Sequence, residues 1–209
     1  HILSAGCGED ISFEVELLNR YNCKILIVDP TPRSRLHLEK VAANLGASAT
    51  LSYGSGGVRE MDEYNLSGVD PEALLYAPVA IGAEDGVIEL FPPKNSAHVS
   101  FSCIPHQEAA VGDAVNFQVS TVETLLTAAA MRSIDILKLD VEGAEIGVLN
   151  SMLDAELYPT QICCEFDSLR FDLASKQLVA TVMERLSSVG YSLIWCDRAF
   201  NALFVRERY

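Results

Sequence analysis

The densest group of side chains that could do chemistry lies in the run DILKLDVEGAE, at residues 135–145. Four acidic residues and one lysine crowd what reads as the end of a strand and the start of a helix. From such a strand Asp140 would project toward the crevice at the carboxyl ends of the strands, where open α/β sheets bind ligands. Glu142 is equally explained as a cap, since a carboxylate at a helix N-terminus stabilises it by about 0.3–1 kcal/mol. We expect Lys138 to neutralise Asp140 or Glu165 as a buried pair.

A second group follows the first predicted strand, in the sequence SAGCGED. Gly6 and Gly8 allow a tight turn and a close approach of a ligand to the main chain, although the turn's own geometry would also explain them. A dinucleotide fingerprint has a third glycine or alanine at position 11, where this chain has Ile11. Glu9 and Asp10 place negative charge where a pyrophosphate would lie, so the turn suits a cationic or zwitterionic ligand.

The second predicted strand ends at Asp29 and Pro30. A carboxylate at this position, about twenty residues after a glycine turn, can accept hydrogen bonds from both hydroxyls of a ribose. Asp29 is also placed to cap the helix that begins near Arg33. Together the two sites predict a nucleoside ligand that carries positive charge and lacks a pyrophosphate. S-adenosylmethionine, with its sulfonium and ammonium groups, meets that description.

These groups can act together only if the fold brings them to one edge of a sheet. Short runs rich in Ile, Leu and Val alternate with amphipathic helical stretches, which predicts an α/β fold with a mostly parallel sheet and helices on both faces. The predicted strands are 2–5, 24–28, 77–81, 136–139, 161–166, 192–196 and 202–205. The last two follow each other without a helix, which predicts an antiparallel hairpin at the sheet edge. The spacing Ser120-x-x-Glu123 predicts a capping box. We expect one domain over residues 1–209, with loop insertions at about 53–70 and 92–116.

Composition limits the possible partners. The 209 residues include 15 Lys and Arg against 29 Asp and Glu, for a formal net charge of −14. Such an acidic surface repels phosphate backbones, so we expect no nucleic-acid partner. The 49% of hydrophobic residues predict a large core and exclude general disorder. No apolar run approaches the roughly 18 residues that a membrane span needs, so we expect a soluble protein.

The six cysteines include no C-x-x-C pair, and three of them (Cys163, Cys164 and Cys196) lie in predicted strands. Free buried cysteines behave as small hydrophobes, so we expect a reducing compartment and a cytoplasmic protein rather than a disulfide framework. The chain begins in a predicted strand, and we therefore expect natural residues, including any targeting segment, to precede His1.

The run at 135–145 closely resembles the D-[IL]-[IL]-K-[IL]-D-[VI]-E-G-A-E signature of FkbM-type methyltransferases. Further segments resemble motifs of that family in the same order along the chain: 6–9, 29–30, 80–86, 119–126 and 164–166. Asp29 stands where the family commonly has Glu, and the segment after residue 92 matches loosely. The resemblance implies a Rossmann-like class I methyltransferase fold, with a mostly parallel seven-stranded sheet and an antiparallel C-terminal edge hairpin.

The resemblance also implies a S-adenosylmethionine-dependent methyltransferase, which we expect to act on a hydroxyl of a small metabolite or sugar. The expected cofactor-binding residues are Gly6, Cys7, Gly8, Glu9, Asp10, Asp29, Pro30, Ile81 and Asp140. The expected catalytic residues are Asp140, Glu142 and Glu165, one of which would act as the base. His98 and His106 are further candidates for the base, and Ser96, Ser100 and Ser102 are candidates for positioning an acceptor hydroxyl. We predict no metal site, because Asp140 and Glu165 alone supply too few ligands.

Two alternative functions fit the same fold. One is a non-catalytic module that binds S-adenosylmethionine, and the other is an NAD(P)-dependent oxidoreductase. The acidic cluster disfavours the first, and the acidic turn without a third glycine disfavours the second. P-loop and serine-hydrolase functions are excluded because neither G-x-x-x-x-G-K-[ST] nor G-x-S-x-G occurs in the sequence.

Overall fold

The structure is a computed structural model that describes residues 1–46, 64–105, 109, 113–171 and 175–207. In chain order the elements are β1 (Ile2–Ala5), α1 (Ser12–Arg20), β2 (Ile25–Val28), α2 (Pro32–Ala42), a 3-10 turn (Pro71–Ala73), β3 (Leu74–Ala77), β4 (Ala80–Ile81), β5 (Gly86–Leu90), β6 (Val115–Ser120), α3 (Val122–Ala128), β7 (Ile136–Leu139), α4 (Glu145–Asp154), β8 (Gln161–Glu165), α5 (Ser168–Phe171), α6 (Ser175–Ser188), β9 (Tyr191–Cys196) and β10 (Asn201–Arg206).

Seven of these strands form one sheet in the order β3-β2-β1-β7-β8-β10-β9. The first five are parallel, and β10 runs antiparallel to both β8 and β9. The predicted mostly parallel sheet with an antiparallel C-terminal hairpin is therefore confirmed. The strand order reverses at β1 and β7, which lie side by side, and such a switch point is where open α/β sheets bind ligands.

A second, three-stranded sheet in the order β4-β6-β5 was not predicted. The prediction of one strand over 77–81 is wrong, because β3 pairs with β2 and β4 pairs with β6 in the other sheet. Pro78 lies between β3 and β4, and its missing N–H cannot continue a ladder. Strands β5 and β6 have mostly exposed or half-buried residues. They therefore lack the continuous apolar runs that reveal buried strands.

Helices cover both faces of the main sheet, as predicted. On one face, buried side chains of β1, β7 and β8 pack with those of α3, α4 and α6. On the other face, Ile25 and Ile27 of β2 belong to a second cluster. This cluster also contains Ile11, just before α1, Val15 of α1 and Val41 of α2. Tyr64 and Leu66 join this second cluster. They belong to the described part of the predicted insertion at 53–70, of which residues 53–63 lie outside the described ranges.

The starts of the helices differ in detail from the predictions. Ser120 is the last residue of β6 and does not cap α3. The cap is Thr121, whose Oγ1 accepts from the Thr124 amide at 3.2 Å. The predicted capping box is therefore wrong by one residue. All six cysteines are free thiols, of which Cys7 and Cys164 are buried and Cys196 is exposed. Among the helices of the described ranges, none has the length and apolar character needed to cross a membrane.

Candidate active site

The glycine turn, Asp29 and Asp140 meet because β1, β2 and β7 end at the same edge of the sheet. Ala5, the last residue of β1, is in register with Val28 of β2 and with Leu139 of β7. The strands are parallel, so the residues that follow all three lie together. Main-chain hydrogen bonds extend this alignment, with the Asp140 amide donating to the Ala5 carbonyl at 3.1 Å.

A cavity of about 210 Å³ opens at this edge. All nine residues that sequence analysis expects to bind the cofactor line it: Gly6, Cys7, Gly8, Glu9, Asp10, Asp29, Pro30, Ile81 and Asp140. Glu142, expected to be catalytic, lines it as well. The opposite wall was not foreseen, because it comes from β5 and from the segment after it. Ile88, Leu90, Val99, Ser100 and Phe101 form this wall, and the segment that holds them carries no periodic signal in the sequence.

The two glycines of the turn are required by neighbouring protein atoms. Gly6 has φ +78°, and a β-carbon there would lie 1.7 Å from the carbonyl oxygen of Asp140. Gly8 has φ +52°, and a β-carbon would lie 2.9 Å from Cγ2 of Val99. Both positions therefore combine a backbone conformation that favours glycine with a close approach by another segment. The sequence allowed two reasons for these glycines, approach of a ligand or the geometry of the turn. For Gly6 the geometry of the protein itself is a sufficient reason.

Asp29 holds the glycine turn in shape. It is buried, and its Oδ2 accepts from the amides of Cys7 at 3.0 Å and Gly8 at 3.1 Å. Its Oδ1 accepts from the amide of Thr31 at 2.9 Å and from the hydroxyl of Thr31 at 2.7 Å. These four donors match the four lone-pair positions of a carboxylate. The prediction that Asp29 caps α2 is wrong, because the cap is Thr31, whose side chain accepts from the Ser34 amide.

The charge of Glu9 is balanced inside the protein. Glu9 is 3% exposed and forms an ion pair with Nη2 of Arg33, at the start of α2. Asp10 is exposed and accepts from the Ser12 amide at 2.8 Å, where α1 begins. Because Arg33 offsets Glu9, less negative charge faces the cavity than the sequence suggests. Neutral Cys7 adds none, since burial, and next the charge of Asp29, raise the pKa of its thiol far above the ordinary value.

The 140–145 turn combines a strained backbone with a buried carboxyl group. Glu142 has φ +51° and Gly143 has φ +110°. The predicted cap role of Glu142 is wrong, because α4 begins after Ala144, which makes no side-chain cap bond. Instead, Oε1 of Glu145 accepts from the Gly143 amide at 2.7 Å. Residues in such sparsely populated conformations cluster at functional sites.

Glu145, at the end of the 140–145 turn, has a strongly perturbed carboxyl group. It is fully buried, and this burial raises its pKa from 4.5 to about 7. The hydrogen bond from Gly143 lowers the pKa in part, and the charges of Glu142 and Asp140 raise it further. This role of Glu145 could not be predicted from the sequence, because its burial depends on how α4 packs against the sheet.

Asp140 lies between two cavities. A second cavity of about 240 Å³ is lined by Asp140, Lys138, Cys163 and Glu165, among others. Nζ of Lys138 donates to the Gly6 carbonyl at 2.9 Å and lies 3.9 Å from Oδ2 of Asp140. Lys138 thus lies beside Asp140, one of its two predicted partners, although it is not fully buried.

A third carboxylate, that of Asp167, lies close to those of Asp140 and Glu165. Asp140, Glu165 and Asp167 each offer one oxygen, and these three atoms lie within 4.8 Å of one another. Oxygen ligands of this kind suit hard divalent cations. The prediction of no metal counted only Asp140 and Glu165. It missed Asp167, which lies just beyond β8 and carries no signal in the sequence.

The serines and histidines of the second predicted loop insertion, which were candidates for the base or for positioning an acceptor hydroxyl, lie in different surroundings. Ser100 lines the first cavity. Ser102 is buried, with its Oγ 3.0 Å from the Glu142 carbonyl oxygen. Ser96 and His98 are exposed, and their carbonyl oxygens accept from Arg33. His106 lies outside the described residues.

The fold is that of a Rossmann-like methyltransferase, and the cavity lies at its β1–β7 switch point. The chain matches the methyltransferase FkbM domain over residues 7–193 of its 209, and it belongs to this family. The resemblance carried by residues 135–145 is therefore confirmed. Among the curated proteins and the solved structures, none matches the chain significantly.

Proposed function

We propose that this methyltransferase uses S-adenosylmethionine and methylates a hydroxyl group of a small metabolite or sugar. The observation that carries this proposal is the convergence of nine expected cofactor residues on one cavity. The adjoining second cavity shares Asp140 with the first, and it offers the acceptor a place next to the cofactor.

The lining of the first cavity fits both halves of S-adenosylmethionine. The carboxylates of Asp10, Asp140 and Glu142 line the cavity, and no lysine or arginine is among its described lining residues. This negative charge suits the sulfonium and ammonium groups. Ile88, Leu90 and Phe101 form an apolar wall for a purine ring. Arg33 offsets Glu9, but the carboxylates of Asp10, Asp140 and Glu142 also line the cavity and would repel a pyrophosphate such as that of NAD(P).

Asp29 supports this binding indirectly. Its four accepted hydrogen bonds fix the backbone of residues 7 and 8, which form part of the cavity wall. Without the carboxylate, two amides of the turn would lose their acceptor, and buried amides without partners are costly. The turn would then lose the shape that receives the ligand.

Asp140 is placed to take a proton from an acceptor hydroxyl. Its side chain is 44% exposed and lines both cavities, so it can reach a group that approaches from the second one. Glu165 lines the second cavity, and its carboxylate can orient the same acceptor by accepting hydrogen bonds from the acceptor's hydroxyl groups. When bound, S-adenosylmethionine supplies an electrophilic methyl group. The chain's own contribution is to position the two molecules, to exclude water and to accept the proton.

The test is transfer of a labelled methyl group from S-adenosylmethionine to a panel of sugars and other polyhydroxylated compounds. We expect labelled product with the native protein and a rate at least about 100-fold lower with Asp140→Ala, as is typical for loss of a general base. Glu123→Ala, which removes an exposed acid from the first turn of α3, is the matched control and should retain native activity. Transfer to amines or thiols but not to hydroxyls would contradict the proposed chemistry.

A further inference from the structure

One segment of the chain, residues 96–104, lies across the cofactor cavity and is called the strap here. Val99, Ser100 and Phe101, in its middle, line the cavity. Its second end contacts the 140–145 turn after β7 directly, and its first end is joined to the glycine turn after β1 through Arg33. The strap therefore links the glycine turn to the 140–145 turn across the cavity.

The first end of the strap depends on Arg33. Nη1 of Arg33 lies 3.1 Å from the carbonyl oxygen of Ser96, 3.2 Å from that of Ala97 and 3.3 Å from that of His98. Nη2 of the same guanidinium pairs with Glu9 in the glycine turn. The planar group thus joins the strap, α2 and the glycine turn, a geometry that the single ammonium of a lysine cannot reproduce.

The second end of the strap is held by main-chain bonds and packing. The Cys103 amide donates to the Glu142 carbonyl at 3.2 Å, and Ser102 and Phe91 exchange main-chain hydrogen bonds of 2.8 and 3.0 Å. Ile104 packs on Gly143 so closely that a β-carbon there would lie 2.5 Å from its Cδ1. Several contacts to other elements secure this end. At the first end, the Ala97 amide donates to Oδ1 of Asn95 in the same loop at 3.0 Å, and the described side-chain bonds to residues 96–98 from another element come from Arg33.

The cavity is small for a nucleoside ligand while the strap is in this position. The cavity holds about 210 Å³ with the strap in this position. Pockets for ligands of this kind usually hold about 300–1,000 Å³. The first end can lift without breaking the main-chain bonds of the second, so a hinge near residue 102 would enlarge the cavity on the side of the glycine turn.

We propose that Arg33 is a positioning residue that latches the strap over the cofactor cavity, and that the latch opens to admit and release the nucleoside ligand. The inference rests on the proposed function for the identity of that ligand. Arg33 does not line the cavity, so it would act on binding through the strap and through Glu9, whose charge it offsets. Arg33→Lys keeps a cation beside Glu9 and so separates the two effects.

The test uses three variants of the full chain. Arg33→Met removes both the fork to the strap and the pair with Glu9, and Arg33→Lys keeps a cation beside Glu9 but loses the fork. Arg35→Met is the matched control, since Arg35 lies on the same helix, is exposed and faces Glu39 at 3.8 Å. Hydrogen exchange is measured without ligand, and the rate constants for S-adenosylhomocysteine binding are measured by surface plasmon resonance.

In Arg33→Met we expect amides of the strap to exchange at least about tenfold faster, while β1 and β7 exchange as in the native protein. A tenfold change corresponds to about 1.4 kcal/mol, roughly the contribution of one hydrogen bond to a charged group. Arg33→Lys should fall between Arg33→Met and native, and Arg35→Met should match native.

For the ligand, we expect both association and dissociation of S-adenosylhomocysteine to accelerate in Arg33→Met. A side chain that merely shapes the bound state would change dissociation and leave association unaltered. Unchanged exchange in the strap, or an unchanged association rate, would overturn the latch. If the native protein binds no S-adenosylhomocysteine, the proposed cofactor is wrong, and the exchange measurement alone decides whether Arg33 holds the strap.

Discussion

Replacing Glu145 with Gln should remove a specific part of the pH dependence of stability. The Glu145 carboxyl is fully buried, and its pKa rises from 4.5 to about 7 on folding, mainly because burial disfavours the charged form. The folded protein therefore keeps this proton over a pH range in which the unfolded chain has lost it. The stabilisation is complete below pH 4.5 and is lost as the pH rises to about 7. The difference between the two pKa values corresponds to about 3 kcal/mol.

The assay is urea unfolding of the native protein and of Glu145→Gln at several pH values from 4.5 to 8. The difference between their free energies of unfolding cancels the other titrating groups. We expect the native protein to lose about 3 kcal/mol relative to the variant across this range. Glu123→Gln, an exposed acid also in the first turn of a helix, is the control and should show no such trend. A difference between native and Glu145→Gln that stays constant with pH would show that the Glu145 carboxyl does not titrate differently in the folded and unfolded chains.

Two further predictions concern the glycine turn and the division of roles in the cavity. Gly6→Ala should lower the free energy of unfolding by about 2–5 kcal/mol, because the left-handed conformation and the overlap with the Asp140 carbonyl both oppose a β-carbon. Gly68→Ala, whose β-carbon would meet its nearest atom at an ordinary 3.6 Å, is the control in the same unfolding assay. Asp29→Ala should weaken binding of S-adenosylhomocysteine at least about tenfold by calorimetry, since the turn loses its acceptor. Asp140→Ala should mainly lower turnover, and near-native binding and kinetics in both variants would contradict these site assignments.

Much of the site was predictable because it follows the buried parallel strands. Continuous runs of Ile, Leu and Val reveal such strands, and the polar residues just after them must gather at one edge of the sheet. The turn after β1, Asp29 and Asp140 all follow this rule. Their detailed roles did not follow, because they depend on hydrogen-bond partners. The carboxylate oxygens of Asp29, for example, accept hydrogen bonds from Cys7, Gly8 and Thr31.

The second wall of the cavity was not predictable from local patterns. Strands β5 and β6 are largely exposed or half-buried and so lack the periodicity that marks core elements. The bonds between Arg33 and the strap span more than 60 residues, and their acceptors are main-chain carbonyls, which any sequence provides. Asp167 likewise joins Asp140 and Glu165 only through the fold.

The most direct test of the account is isothermal titration of the native protein with S-adenosylmethionine and S-adenosylhomocysteine, with NAD as the control. We expect both sulfur-containing nucleosides to bind at one site per chain. We expect NAD not to bind, because its pyrophosphate would meet the carboxylates of Asp10, Asp140 and Glu142. Binding of NAD, or no binding of either nucleoside, would contradict the claim that the cavity between β1 and β7 is a S-adenosylmethionine site.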